Sequence, residues 1–210
     1  APLIQYATKN DYGTLTILTG GLTTLSYVKF IYTKTDGTTV SENIDRNWTN
    51  GAYTSVSGDS SDKFLYIGCY PANLRNWSTT FESLITAETL ESYTVQCFDA
   101  SDVVLGELMT INLLCPNLKG YEPIRLTWLN QWGAWDYYTF NMKSSKMIST
   151  KGTTYQQLEG TWNESTYRLD SFRGGKKAFR VNATEKITMN TDFVSEAEST
   201  WFEELINSPE

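Results

Sequence analysis

The stretch from Arg125 to Phe140 constrains this chain more than any other. Six of its sixteen residues are Trp, Tyr or Phe, two of them before Gly133 and four beyond it. Its two halves read as strands from their aromatic and β-branched content, and Asn130 to Ala134 reads as the connection. Each ring removes roughly 150–250 Å² from water when buried, so the hairpin must supply a core, a subunit interface or a sugar platform.

Composition narrows the function classes. A hydrophobic fraction of 40% with 14% aromatic residues is enough for real cores in 210 residues. The formal net charge of −7 argues against nucleic acid as the main partner, because phosphate binding needs a basic face. The basic cluster Arg173-Gly174-Gly175-Lys176-Lys177 reads as a charged hairpin tip. Histidine is absent, which removes the commonest general base and the commonest metal ligand together. The three cysteines, Cys69, Cys97 and Cys115, form no CxxC pair and read as buried free thiols rather than a disulfide framework or zinc site. No apolar run reaches the roughly 20 residues that span a bilayer, and the first residues lack the pattern of a signal peptide.

Strand signals dominate the chain. Leu15 to Thr19, Leu25 to Thr33, Phe64 to Ile67, Tyr93 to Asp99 and Met109 to Cys115 are apolar and β-branched runs separated by turn residues. Asp36-Gly37 between Lys34-Thr35 and Thr38-Thr39-Val40 predicts a hairpin closed by a type I′ turn. Pro71 to Leu74 reads as a turn or a single helical turn. A boundary is expected at Pro116 to Gly120, with Pro123 close behind. Beyond the aromatic hairpin, Lys146 to Thr150, Thr153 to Leu158, Tyr167 to Leu169, Ala178 to Val181 and Glu185 to Asn190 read as further strands. The one strong helix signal is last. Ser195 and Glu198 form a capping box, and Trp201, Phe202, Leu205 and Ile206 supply an apolar face.

These readings make the protein mainly β. Two antiparallel β-sandwich-like domains are expected: an immunoglobulin-like one over 1–116 and a β-rich one over 117–210 that ends in a single amphipathic helix.

Catalytic chemistry finds little footing. Asp99, Asp102, Asp136, Asp170 and Asp192 sit at strand ends or turns, where Asp is common for local hydrogen bonding. No nucleophile has a base at a useful spacing, and phosphate-loop or dinucleotide fingerprints are missing. Four glycosylation triplets, at Asn47, Asn76, Asn163 and Asn182, are what chance supplies in a chain this rich in Asn, Ser and Thr. The expectation is therefore a non-enzymatic protein with no cofactor and no metal. The candidate interface or ligand aromatics are Trp132, Trp135, Tyr138, Phe140 and Trp162. Tyr138 and Phe140 share a face that needs a cover, from the last helix or from a neighbouring subunit.

The run Arg125-Leu126-Thr127-Trp128-Leu129-Asn130, then Gly133, then Asp136-Tyr137-Tyr138-Thr139-Phe140, resembles a segment of virion structural proteins of tailed bacteriophages, including crAss-like and related Bacteroidetes-infecting phages. Lys186 to Asp192, Glu196 and Trp201 to Glu210 look like the closing strand and helix of the same family. The resemblance covers about residues 115–210 and brings no catalytic residues with it. It implies a structural subunit of the tail, neck or portal-proximal assembly, folded in the bacterial cytoplasm and placed in the virion. Its partners would then be other copies of itself and other virion proteins, with no membrane. The alternative is a host-surface or carbohydrate-binding β-sandwich module in which Trp132, Trp135 and Trp162 stack on sugars.

Overall fold

The computed structural model describes residues 1–18, 25–45, 53–55, 64–114, 120–157, 165–166 and 175–209. Trp162, Cys115, Asp170, the expected strand at Tyr167 to Leu169 and most of the expected boundary at 116–120 lie outside them. The architecture is mainly β, with several small sheets and three short helices among the described residues. It divides into two compact units, one of residues 1–142 with 191–210 and one of residues 143–190. The expected division at 116/117 does not coincide with this one. The aromatic hairpin and the last helix cluster with the first 114 residues, because the hairpin packs Tyr137 on Tyr70 there and the helix packs on the hairpin.

In the first unit, β1 (Ile4–Ala7), β3 (Tyr27–Lys34), β4 (Thr39–Asp45), β7 (Leu90–Phe98) and β8 (Val104–Leu113) form a sheet of order β1-β8-β7-β3-β4. All its neighbours are antiparallel except β1 and β8, which run parallel. A second sheet of order β2-β6-β5 joins β2 (Thr14–Leu18), β6 (Phe64–Gly68) and β5 (Tyr53–Ser55). Strand alternation decides what is buried. In β3, Val28, Phe30 and Tyr32 turn inward, and Tyr93, Val95 and Cys97 of β7 meet them in the core beside Ile67. The polar ends of the core tyrosines are satisfied: Tyr93 donates to the Cys69 carbonyl at 2.8 Å and Tyr32 to Glu42 at 2.9 Å.

Two helices replace the single turn expected at Pro71. They are α1 (Pro71–Trp77) and α2 (Thr79–Thr86). Pro71 occupies the first turn, where its missing N–H costs nothing, and the Ser78 hydroxyl caps α2 by accepting from Phe81 N–H at 2.9 Å. Phe81 and Leu84 are buried against Tyr32 and Tyr93. Tertiary burial outweighs the weak helix propensity of the Asn and Thr residues here.

The remaining strands of the first unit are β9 (Ile124–Leu129) and β10 (Trp135–Phe140), an antiparallel pair, and its last element is α3 (Glu196–Asn207). Ser195 and Glu198 make both halves of the capping box. Three hairpins of this unit close through the same turn. Lys34, Asp99 and Asn130 each donate N–H to the carbonyl four residues on, and each accepts from the residue three on. That third residue is left-handed every time: Gly37, Asp102 and Gly133. Asp36 is not left-handed, so the β3–β4 turn is not the expected type I′. One positive-φ residue per turn is what a type I turn with a following bulge requires.

The second unit contains one long ribbon, β11 (Ser145–Gln156) paired antiparallel with β12 (Lys176–Thr188). The expectation of shorter strands broken at Gly152 is corrected. Gly152 sits in register opposite Val181, and the irregularity falls between Thr153 and Thr154, where Phe179 is the extra residue of β12. Every residue of both strands is exposed.

Candidate functional site

The Asn130–Ala134 turn and α3 build the most site-like region of the first unit. The turn is fixed by one side chain. Asn130 Oδ1 accepts from the N–H groups of Trp132 and Ala134, both at 3.0 Å, and its Nδ2 donates to Asp136 at 3.1 Å. Gly133 takes the left-handed conformation at φ +79°. The result is a rigid tip on which the Trp132 side chain is 82% exposed.

Behind the tip, the hairpin face of Leu126, Trp128, Asp136, Tyr138 and Phe140 is covered by α3. Trp128, 1% exposed, lies 4.9 Å from the Trp201 ring; Phe202 lies 4.7 Å from Tyr138 and 6.0 Å from Phe140. The cover that this face requires therefore comes from the chain's own helix. The Tyr138 and Thr191 hydroxyls share a hydrogen bond at 2.6 Å, and burial raises the phenol above its ordinary value. The opposite face turns to the first sheets: Tyr137 packs on Tyr70 at 5.4 Å and shares a 3.0 Å hydrogen bond with Thr14.

The five candidate aromatics thus separate. Trp132 is free at the tip and Trp135 is 38% exposed beside it, while Tyr138 and Phe140 are committed to α3. Trp162 lies outside the described residues.

A groove of about 320 Å³ runs between the turn and α3, lined chiefly by Asn130, Gln131, Glu203, Glu204, Asn207 and Ser208. Its floor is pinned by Gln131 donating to Glu204 at 3.1 Å and Ser208 donating to the Leu129 carbonyl at 3.0 Å. The second carboxylate oxygen of Glu204 is shielded from solvent and makes no hydrogen bond. Carboxylates, amides and hydroxyls beside an exposed indole are groups that grip vicinal hydroxyls and stack on a sugar's C–H face. None was evident as a set in the sequence, because Gln131 and Glu204 are 73 residues apart.

A second groove of about 360 Å³ is lined by Lys9, Asn10, Tyr12, Arg75 and Asn76. Its guanidinium is already taken: Arg75 grips Glu82 through two bonds of 2.7 and 3.1 Å, which lowers the Glu82 carboxyl. Among the described residues no three His, Cys, Asp or Glu side chains are grouped as a metal ion requires. Asp99 serves its own turn by accepting from Ser101 and Val103, both at 2.8 Å. Among the described residues no helix is long and apolar enough to cross a membrane.

No protein-family model matches the chain, and no curated protein does. Among solved structures, the extracellular portion of mouse CD200RLa is similar at 11% identity and a TM-score of 0.24, over 83% of this chain and 95% of that one. The expectation of a bacteriophage virion subunit finds no support in these comparisons. At this TM-score the likeness carries no argument about fold. The residues behind the phage resemblance have local tasks instead. Asn130 and Gly133 shape the turn, Asp136 receives Trp201, and Arg125 pairs with Asp11.

Proposed function

We propose that the chain is a non-catalytic binding module that recognises carbohydrate through the groove between the β9–β10 turn and α3. In this reading the five- and three-stranded sheets of the first unit act as a sandwich-like scaffold, and α3 clamps the aromatic hairpin to it. The observation that carries the reading is Trp132, exposed on a tip whose backbone donates two hydrogen bonds to the Asn130 side-chain oxygen, while a third bond ties that side chain to Asp136. A turn whose backbone is already fixed has little backbone entropy to lose when its indole stacks, and the polar groove behind the turn supplies orientation.

A glycan array followed by titration of the best-bound sugar tests this. Trp132→Ala is expected to weaken binding about tenfold or more, an affinity change of about 1.4 kcal/mol, without lowering the unfolding midpoint. An array with no signal above background, or binding that Trp132→Ala leaves unchanged, rejects the site.

A further inference from the structure

Charge is divided unevenly between the two units. Residues 143–190 hold nine of the seventeen Lys and Arg but only four of the twenty-four Asp and Glu, a formal +5. The rest of the chain is −12. The register of the ribbon then sorts its charges by face. Lys151, Lys177, Arg180 and Lys186 share one face with Met147 and Tyr155, and no acidic residue accompanies them. The other face carries Lys146, Lys176 and Glu185, of which Lys146 and Glu185 are already paired at 2.6 Å. The basic face is solvated along its whole length.

The first unit presents the complementary pattern. From Thr191 to Glu210 there is no Lys or Arg. Asp192, Glu196 and Glu203 are exposed there together with Ile206 and Phe193, whose side chain is 103% exposed. Two basic ribbons repel one another, so ribbon-to-ribbon pairing is disfavoured. A basic face carrying two apolar side chains matches an acidic face carrying two.

We propose that the basic face of the β11–β12 ribbon docks on the acidic α3 face of a second copy of this chain. Because the two surfaces differ, the contact is head-to-tail and leaves each molecule with one surface free for a further copy. The attraction is between exposed charges, so salt weakens it: the screening length falls from about 10 Å at 0.1 M to about 3 Å at 1 M.

Sedimentation velocity on the full chain over a concentration series, at low and at high salt, tests the contact. Concentration-dependent oligomers are expected at low salt, with an apparent dissociation constant at least about tenfold weaker at high salt. Lys151→Glu with Arg180→Glu is expected to give a monomer, and so is Asp192→Lys with Glu196→Lys. All four positions are exposed, and circular dichroism confirms that each variant is folded. Mixing the two double variants is expected to restore association, since the parent ribbon of one then meets the parent helix face of the other and the two reversed surfaces are themselves complementary. A chain monomeric at all concentrations in low salt overturns the proposal. So does association that survives the ribbon reversal, or a ribbon that binds heparin while the chain stays monomeric, which would identify a polyanion as its occupant. The outcome does not depend on Trp132, so this proposal and the carbohydrate site fail separately.

Discussion

The Trp201 indole N–H on α3 donates to the Asp136 carboxylate on β10 at 2.6 Å. The same carboxylate accepts from Asn130 Nδ2 at 3.1 Å, so the helix, the strand and the turn that carries Trp132 meet at one buried acid. Hydrogen bonds to a charged acceptor are about twice as strong as neutral ones, and this one is buried, with the Ala1 ammonium 3.6 Å from it as well. The acid explains how a helix with few core residues of its own holds the hairpin's second face.

Asp136→Asn is expected to cost about 1–3 kcal/mol, because its amide sets a donor against the N–H groups of Trp201 or Asn130. Trp201→Phe should cost a similar amount through the lost bond and lost ring area. Urea denaturation measures both. A loss under about 0.5 kcal/mol for Asp136→Asn shows that the acid is not the joint between helix and turn.

Arg125 performs the parallel task on the hairpin's other face. Its guanidinium lies 3.1 Å from Asp11, donates to Thr139 at 2.8 Å and to the Tyr12 carbonyl at 3.0 Å, and stacks over Tyr70 at 4.8 Å and Tyr137 at 5.2 Å. A lysine reproduces the charge but not the planar fork or the double stacking. Arg125→Lys is therefore expected to lower stability by about 2 kcal/mol or more. Equal midpoints for Arg125→Lys and the parent chain exclude a joint built on guanidinium geometry.

Two glycines invite opposite explanations for similar losses. A Cβ on Gly13 falls 2.5 Å from Tyr70 Cδ2, and that ring is held between Tyr137 and Arg125. Gly13→Ala is expected to cost about 1–3 kcal/mol by overpacking. Around Gly37 the added carbon meets nothing within 4 Å, but φ is +80°. Gly37→Ala should cost about 1 kcal/mol through the backbone alone. Tyr70→Ala, which removes the ring atoms that the added carbon meets, is expected to rescue Gly13→Ala in a double-mutant cycle and leave Gly37→Ala unaffected. Equal coupling in the two cycles contradicts this division.

The hairpins at Asp36-Gly37, Asp99 to Val103 and Asn130 to Ala134, and the capped last helix, were legible because their signals are local. A turn residue or a capping pair acts on its own few neighbours. Three things were not. The helices α1 and α2 have Asn- and Thr-rich sequences, and the burial of Phe81 and Leu84 decides them. The parallel pairing of β1 with β8 joins Ile4 to Thr110, and no local pattern specifies so distant a register. The groove was not legible for the same reason, since Gln131 of its turn side and Glu204 of its helix side lie 73 residues apart. Charge was readable throughout, but the Arg173 to Lys177 cluster drew attention to a tip when the basic residues run along the whole ribbon.

The two described thiols give the chain a stability that fades in alkali. Cys69 and Cys97 are free and buried, and burial pushes their thiols up to about 12 and about 11. An unfolded chain releases these protons near the ordinary value of 9, whereas the folded chain still holds them. Above pH 9 the unfolded state binds fewer protons, so stability is fully present below 9 and falls as the pH rises toward 11 and 12. Each thiol contributes a slope of at most about 1.4 kcal/mol per pH unit in that interval. Buried Tyr32, Tyr70 and Tyr93, whose phenols are raised by burial, add to the decline only beyond pH 10. Urea unfolding between pH 8 and pH 10 therefore isolates the cysteines. The Cys69→Ala, Cys97→Ala double variant, less stable at pH 8 for its lost side-chain contacts, is expected to show a clearly shallower decline over that interval. Parallel declines in the two proteins would place the alkaline sensitivity elsewhere.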